Sequence, residues 1–459
     1  MSHFDPSDPR PVHLVGAAGA GMSALAELLA RRGIAVTGCD AGGAATPDLD
    51  RLGIAVAQGH DPAHVEGARL VIVTSAVPAH HAELEHARTL GIPVLRRAEA
   101  LAEAVGVGDV VAIAGTHGKT TTTVMTTDAL AAAGFEPTGV AGGRVGAWQG
   151  NVRHGSSQLF VVEADEYDRS FLALAPTVAV VTNIEADHLD IYADLADIRV
   201  AFAQFVHGAR AIVLCADDTG ADTLVTPSTA EVIRYGIQSP NARLSARDVR
   251  VADGGSRFTV VHDHEVLGEA TLRVPGAHNV RNALAALAAG LALGASVPDM
   301  VRGLAGFTGV ERRFQRIGDA HGVTIIDDYA HHPTEIAATL AAARGAFPGR
   351  RLVAAFQPHL YSRTRDFAVE FGQALARSDA IFLTEIYPAR EQPIAGVTSS
   401  LIERAARDAG GTLAWRGNRT QLAAALARSV REGDVVLTLG AGDITRTGAE
   451  LLTCLATAG

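Results

Sequence analysis

The sequence predicts an α/β protein of about three domains, and three observations carry that expectation. Short β-branched runs alternate with alanine-rich helical stretches along most of the chain, the pattern of parallel strands covered by helices. The length, 459 residues, corresponds to about three units of roughly 150 residues each. Two glycine-rich turns each follow a β-type run and lead into a helical stretch, as phosphate-binding turns do in open α/β sheets.

The first block, residues 1–106, is Rossmann-like. It opens on a strand at His13 to Val15, then the turn Gly16-Ala17-Ala18-Gly19-Ala20-Gly21 and a helix from about Met22 to Arg32. A strand from Ala35 to Cys39 ends at Asp40, and further strands are expected at Leu70 to Thr74 and Val94 to Leu95. The turn departs from a dinucleotide fingerprint, because Ala18 stands where the second glycine lets the backbone approach a pyrophosphate. A nucleoside diphosphate on the same helix terminus, with Asp40 near a ribose, is as compatible as NAD, and a plain packing turn is the third reading.

The second block, residues 107–308, is expected to be a phosphate-loop ATPase-type parallel sheet. Its strands read as Val110 to Ala114, Leu159 to Val162, Val178 to Thr182 and Ala211 to Cys215; a polar β-rich passage runs from Asn241 to Val274, and an alanine-rich helix follows Asn282. The third block, residues 309–459, reads as a second Rossmann-like α/β domain with strands near Thr324 to Ile326, Leu352 to Phe356, Ala380 to Leu383 and Val435 to Leu439.

Composition narrows the partners. Fifty acidic residues against 39 basic ones leave a net charge of −11 with no basic block, which argues against nucleic acid. The nearly uncharged run Ala283 to Val297 is too short to cross a bilayer and contains two glycines, so it reads as a core helix. The first residues lack a secretory signal, and Cys39, Cys215 and Cys454 offer neither a disulfide framework nor metal spacing. A cytoplasmic protein without membrane partners is expected, as a monomer or homodimer.

The strongest chemical signal is Gly115-Thr116-His117-Gly118-Lys119-Thr120, directly after the strand that ends at Ala114. Glycines let backbone N–H groups surround phosphate oxygens, the following helix adds its positive end, lysine reaches the terminal phosphates and a threonine hydroxyl suits Mg²⁺. Lys119 is the single lysine of the chain; every other basic position is arginine. A compact ammonium fits between β- and γ-phosphates where a planar guanidinium does not.

Glu163-Ala164-Asp165-Glu166-Tyr167-Asp168 and Asp187-His188 follow the next strands, at the sheet end where ligands gather. A carboxylate there completes Mg²⁺ coordination and an imidazole suits a second metal; a solvated acidic loop is the bland alternative. Pro275-Gly276-Ala277-His278-Asn279-Val280-Arg281-Asn282 opens the alanine-rich helix, where an asparagine either reads an adenine edge or caps the helix. Arg312-Arg313, Asp327-Asp328-Tyr329-Ala330-His331-His332 and Pro358-His359-Leu360-Tyr361-Ser362-Arg363 place further charged groups in the third block, their arginines suited to carboxylate or phosphate.

Taken in order, the turn at Gly16 to Ser23, GTHGKTTTT at 115–123, EADEYDRSFL at 163–172, TNIEADHLD at 182–190, PGAHNVRNA at 275–283, DDYAHHPTE at 327–335 and FQPHLYSRTRDF at 356–367 resemble the Mur ligases over essentially the whole chain. The resemblance implies an ATP-dependent ligase joining L-alanine to the lactyl carboxylate of UDP-N-acetylmuramate through an acyl phosphate. It implies that Gly16, Gly19, Gly21, Met22, Ser23 and Asp40 hold the UDP sugar. ATP is then expected at Gly115, Thr116, His117, Gly118, Lys119, Thr120 and Thr121, with Asn282 on adenine, Asp328 on ribose and Arg313 at the phosphates. Two Mg²⁺ ions are implied, one on Thr120 and Glu163 and one on His188, and alanine is implied at His331 and Arg363. Lys119, His188 and Arg363 are the implied catalytic groups. Leu360 stands where some members carry arginine. Related ligases that add later peptide residues carry a carbamylated lysine, and this chain has no second lysine for that part. The rival readings are a ligase that attaches a recycled peptide to the same sugar, a phosphate-loop switch or motor, and a dehydrogenase.

Overall fold

The computed structural model describes residues 3–42, 47–252, 254–389 and 391–457. Its strands form three sheets. The chain divides into two compact units, one of Met1–Arg247, Thr259–Ala270 and Arg281–Phe307, the other of Asp248–Phe258, Thr271–Val280 and Thr308–Gly459.

In the first unit, β1 (Val12–Val15), β2 (Val36–Asp40), β3 (Ala55–Gln58), β4 (Leu70–Val73) and β5 (Val94–Arg96) form a sheet of order β3-β2-β1-β4-β5. All its pairs are parallel. The helix Ala20–Arg31 follows β1. Alanine and leucine dominate it, no β-branched residue interrupts it, and Met22, Leu25, Leu28 and Leu29 are buried on the sheet. Gly33, at φ +79°, ends it in the left-handed conformation.

The second sheet begins with β6 (Asp109–Ala114) and continues through β7 (Thr138–Val145), β8 (Gly150–Arg153), β9 (Leu159–Glu163), β10 (Val178–Val181), β11 (Ala211–Cys215) and β12 (Glu231–Gly236), in the order β12-β11-β10-β6-β9-β7-β8. β6 therefore lies between β9 and β10, both parallel to it. The long strands β13 (Leu244–Ala252), β14 (Gly255–His262) and β15 (Glu265–Leu272) follow in the chain and are divided between the two units.

Glu27 explains why the first two sheets share a unit. Its buried carboxylate accepts from Arg31 at 2.8 Å and from the backbone N–H of Asn151 in β8 at 3.0 Å, while the Asn151 amide donates to the carbonyl of Ala20 at 3.1 Å. A buried charge met on both sides ties the helix to the neighbouring hairpin.

The helix Ala277–Ala292 has every residue from 283 to 289 fully buried. A side chain at Gly290 would stand 2.0 Å from the Met300 sulfur of the helix Val297–Ala305, so glycine permits the two helices to touch. Among the described residues no helix is long and apolar enough to cross a membrane.

The second unit holds β16 (Gln315–Ala320), β17 (Val323–Asp328), β18 (Leu352–Phe356), β19 (Ala380–Thr384), β20 (Leu413–Gly417) and β21 (Val435–Leu439), ordered β16-β17-β21-β18-β19-β20. Only β16 is antiparallel to its neighbour. β17, β18, β19 and β21 are buried throughout, as central parallel strands are.

Several boundaries differ from the sequence expectation. β9 includes Glu163 and β17 includes Asp327 and Asp328, because a strand's last residues carry polar side chains when they face a ligand end. β10 stops before Thr182, whose hydroxyl turns to the phosphate loop. The alanine-rich helix starts at Ala277, so Asn282 lies inside it and is no cap. The strands β3, β7, β8, β12, β16 and β20 are additional to the sequence expectation, being glycine-bearing, partly polar or partly exposed.

Candidate active site

The phosphate loop leaves β6 at Ala114 and enters the helix Lys119–Ala132. Gly115 and Gly118 take φ of +135° and +82°. A Cβ at Gly115 would lie 2.0 Å from the Thr182 hydroxyl, and one at Gly118 would lie 2.7 Å from Oδ1 of Asn282. Both positions thus exclude a side chain by conformation and by space. Gly118→Ala is expected to destabilise the first unit by about 1–3 kcal/mol and to weaken nucleotide binding, measured by denaturant unfolding alongside titration with ADP.

The segment after β10 fixes the loop from outside. Asn183 accepts the N–H of His117 at 2.8 Å and donates its amide to the His117 carbonyl at 3.0 Å. The Thr182 hydroxyl donates to that carbonyl at 2.6 Å, and the N–H of Glu185 donates to the Thr116 hydroxyl at 2.9 Å. These residues sit in the TNIE segment and have no role in the sequence reading; their place directly after a strand is the signal that could mark them.

Lys119 is the charge centre. Its ammonium donates to the Gly115 carbonyl at 2.7 Å, to the Thr116 carbonyl at 3.2 Å and to both oxygens of Glu166 at 2.7 and 3.0 Å. Burial works against the ammonium, but Glu166, with Asp165 and Glu163, outweighs it and raises its pKa above the ordinary lysine value. Burial likewise opposes the charged form of Glu166, yet Lys119 and His188 hold that carboxyl below its ordinary value. His188 Nε2 lies 3.6 Å from Glu166, and the imidazole pKa is raised because Glu166 and Asp187 overcome desolvation. Tyr192 closes the group, its hydroxyl donating to the Glu166 carbonyl at 2.7 Å.

Sequence reading assigned Glu166 no role, although it is the partner of Lys119. Thr120 and Thr121 are buried on the first helical turn, and Glu163 accepts the N–H of Gly142 at 2.7 Å. Lys119, Glu166, His188 and the loop are thus one cluster, with Asn282 against Gly118.

At the first-sheet turn, Gly16 has φ +86° and the Asp40 carboxylate accepts the N–H groups of Ala18 at 3.1 Å and Gly42 at 2.9 Å. Gly19 precedes the helix, Met22 is buried and the Ser23 hydroxyl donates to the Ala20 carbonyl at 3.0 Å. Arg97 is the unforeseen neighbour: a Cβ at Gly21 would stand 3.1 Å from its guanidinium. A cleft lined by Ser75, Arg96, Arg97, Asp168, Arg169 and Ser170 adjoins it.

In the second unit, burial pushes the Asp328 carboxyl up to about 6, against Arg313 and the N–H groups of Phe314 at 2.8 Å and Ala330 at 2.9 Å. Arg313 lies over the Tyr329 ring at 5.1 Å and 3.7 Å from Glu335. His331 is 3.2 Å from Glu335, and Arg363 is buried on the helix Tyr361–Leu375. Leu360, just before that helix, has φ +72°, and its N–H donates to the Tyr387 carbonyl at 3.0 Å.

A glycine loop after a central parallel strand, with a lysine over the helix start and carboxylates and an imidazole at the flanking strand ends, defines a phosphate-handling α/β enzyme. Family profiles match at residues 11–106 (Mur ligase family, catalytic domain), 113–290 (Mur ligase middle domain) and 312–442 (Mur ligase, glutamate ligase domain). The UDP-N-acetylmuramate–L-alanine ligase of Burkholderia cenocepacia is 45% identical over 452 residues, covering 96% of this chain and 97% of that protein. The ligase of the same name from Laribacter hongkongensis is 46% identical over 98% of both chains. Among solved structures, UDP-N-acetylmuramate-alanine ligase from Thermotoga maritima aligns with TM-score 0.83 at 28% identity, over 98% of this chain and all of that one. A murein peptide ligase from Psychrobacter arcticus aligns with TM-score 0.71 at 27% identity, over 97% and 98%. The chain belongs to the Mur ligase family.

Proposed function

We propose that this protein joins L-alanine to the lactyl carboxylate of UDP-N-acetylmuramate while ATP is cleaved to ADP and phosphate, a cytoplasmic step in making peptidoglycan precursor. The observation that carries the reading is identity of 45% across nearly the full length to ligases of that name. The single lysine agrees, since it sits on the phosphate loop and leaves none for carbamylation.

Residues 1–106 hold the UDP portion, with Gly16, Gly19, Gly21, Met22, Ser23 and Asp40 at the turn; Met22 is buried and serves through its backbone. Arg97 joins them as an anion partner, its guanidinium beside the N-terminus of the helix. Residues 107–308 bind ATP through the loop from Gly115 to Thr121 and through Asn282. Residues 309–459 supply Arg313 and Asp328 to the nucleotide and His331 and Arg363 to alanine.

The donors fit magnesium. Glu166 pairs with the one ammonium and Asp165 and Glu163 act on its charge from nearby, an excess of negative charge that a triphosphate enters only with cations. Thr120 with Glu163, and separately His188, are the groups that would hold two such ions. When bound, they neutralise the phosphate oxygens that the sugar's carboxylate must approach. A carboxylate is a poor acylating agent, so the lactyl oxygen attacks the γ-phosphorus, ADP leaves, and the neutral amine of alanine then displaces phosphate from the acyl carbon.

The balance fixes the test. ADP release is expected only with UDP-N-acetylmuramate and L-alanine together, and ¹⁸O placed in the lactyl carboxylate is expected in the released phosphate. Unlabelled phosphate would remove the acyl phosphate. Release supported by a tripeptide and not by alanine would place the protein with the murein peptide ligases instead.

A further inference from the structure

Under the helix Ala82–Thr89, on one face of the first sheet, side chains that ligate metals converge from separate parts of the chain. His13 comes from β1, Cys39 from β2, His60 and His64 from the segment after β3, and His81 and Glu83 from the start of the helix. Glu83 is fully buried at their centre. The Cys39 thiol donates to its Oε1 at 3.1 Å, and His64 Nδ1 lies 3.0 Å from the same oxygen. His60 Nδ1 is 3.1 Å from Oε2, His81 Nδ1 is 3.6 Å from it, and Cys39 Sγ is 3.4 Å from His60 Nδ1.

One carboxylate does not satisfy this set. The N–H of Asp61 takes a further place on it at 3.1 Å. His13 is 2% exposed, its Nδ1 meets the Thr37 hydroxyl at 2.9 Å, and its Nε2 is buried without a hydrogen-bond partner. His81 Nδ1 is also buried and makes no hydrogen bond, its contact with Glu83 being 3.6 Å long. Buried polar nitrogens left in this way are destabilising unless something else occupies their lone pairs. Ligand atoms of His13, Cys39 and Glu83 lie within 4.8 Å of one another, as do those of His60, His81 and Glu83. The separations of 3.1 to 3.4 Å among Cys39 Sγ, His60 Nδ1 and Glu83 Oε2 are close to the edges of one face of a tetrahedron with ligand bonds of about 2.1 Å.

We propose that this cluster is a structural site for a zinc-class transition metal, held by Cys39, Glu83 and histidines from among His13, His60, His64 and His81. Thiolate and imidazole together select such an ion over magnesium, which takes oxygen ligands. Binding exchanges the Cys39 thiol proton for the ion, and the proton leaves to solvent. His60 and His64, partly exposed, give the ion a way in. The Cys39 carbonyl accepts the N–H groups of Gly16 at 2.9 Å and Ala17 at 3.0 Å, so an ion on Cys39 braces the adjoining glycine turn. The ligands span positions 13 to 83, which is why no local spacing announces the site.

The site is tested on the full-length, chelator-treated protein titrated with Co²⁺. A near-ultraviolet thiolate-to-cobalt charge-transfer band is expected to saturate at one ion per chain in the presence of millimolar Mg²⁺ and to be abolished by Zn²⁺. Cys39→Ser is expected to abolish the band, and Glu83→Gln to weaken Co²⁺ affinity at least tenfold. Absence of the band in the unsubstituted protein overturns the proposal, as does a band that survives Cys39→Ser or a band that Mg²⁺ abolishes. The spectroscopic readout on the unsubstituted protein decides the matter even if a variant fails to fold, and it is independent of ligase turnover.

Discussion

Replacing Lys119 by arginine is expected to leave a folded protein whose ligation rate has fallen about 10³-fold or more, which is ~4 kcal/mol of lost transition-state stabilisation. The ammonium sits where the loop carbonyls of Gly115 and Thr116 and the Glu166 carboxylate converge within 3.2 Å. Arginine preserves the charge opposite buried Glu166, so the fold keeps its ion pair. The fork is too broad and too long to replace a point charge between two phosphates. Coupled ADP release measures the rate, and circular dichroism with a thermal melt checks the fold; near-normal turnover in this variant would sink the phosphate-loop assignment.

Glu166→Gln is expected to have the next largest effect, because one change touches both Lys119 and His188. Removing the carboxylate leaves the buried ammonium without its counter-charge, a loss of about 3 kcal/mol in stability and about 10²-fold in turnover. Burial alone would lower the His188 pKa, and Glu166 is the first group that raises it. In the glutamine variant the imidazole titration, followed by NMR, is therefore expected to move to lower pH, a shift that simple loosening of the fold does not produce. The sign on stability follows from the depressed carboxyl pKa of Glu166. Its contribution is fully present above the ordinary glutamate value of 4.5 and is lost as pH falls through its lower folded value. The glutamine variant should lack that part of the acid-side loss in a denaturant titration.

Legibility differed by the kind of signal. The strand before the phosphate loop is a continuous run of small and β-branched residues bounded by glycine, and β6 appears within one residue of where that run predicts it. β8 at the sheet edge and β7 beside it escape because TGVAGGRV and GNVR are broken by glycine and polar residues. They become strands by pairing with each other and, through β7, with β9. Asn282 was legible as a ligand candidate, yet its place inside a helix against Gly118 depends on packing. Glu166 was printed in the motif beside Glu163, and no pattern said which of the two would face Lys119.

What the sequence determined by itself is local: which runs become buried parallel strands, where glycine admits a positive φ, and that one ammonium alone stands at the phosphate turn. Each of these follows from a residue and its immediate neighbours. The tertiary structure decided the pairings. It set β6 between β9 and β10, so that Glu166 meets both Lys119 and His188. It also gathered Cys39, Glu83 and four histidines from distant segments under one helix. Such contacts arise from sheet order and register, which bring together atoms whose separation along the chain carries no trace of their distance in space.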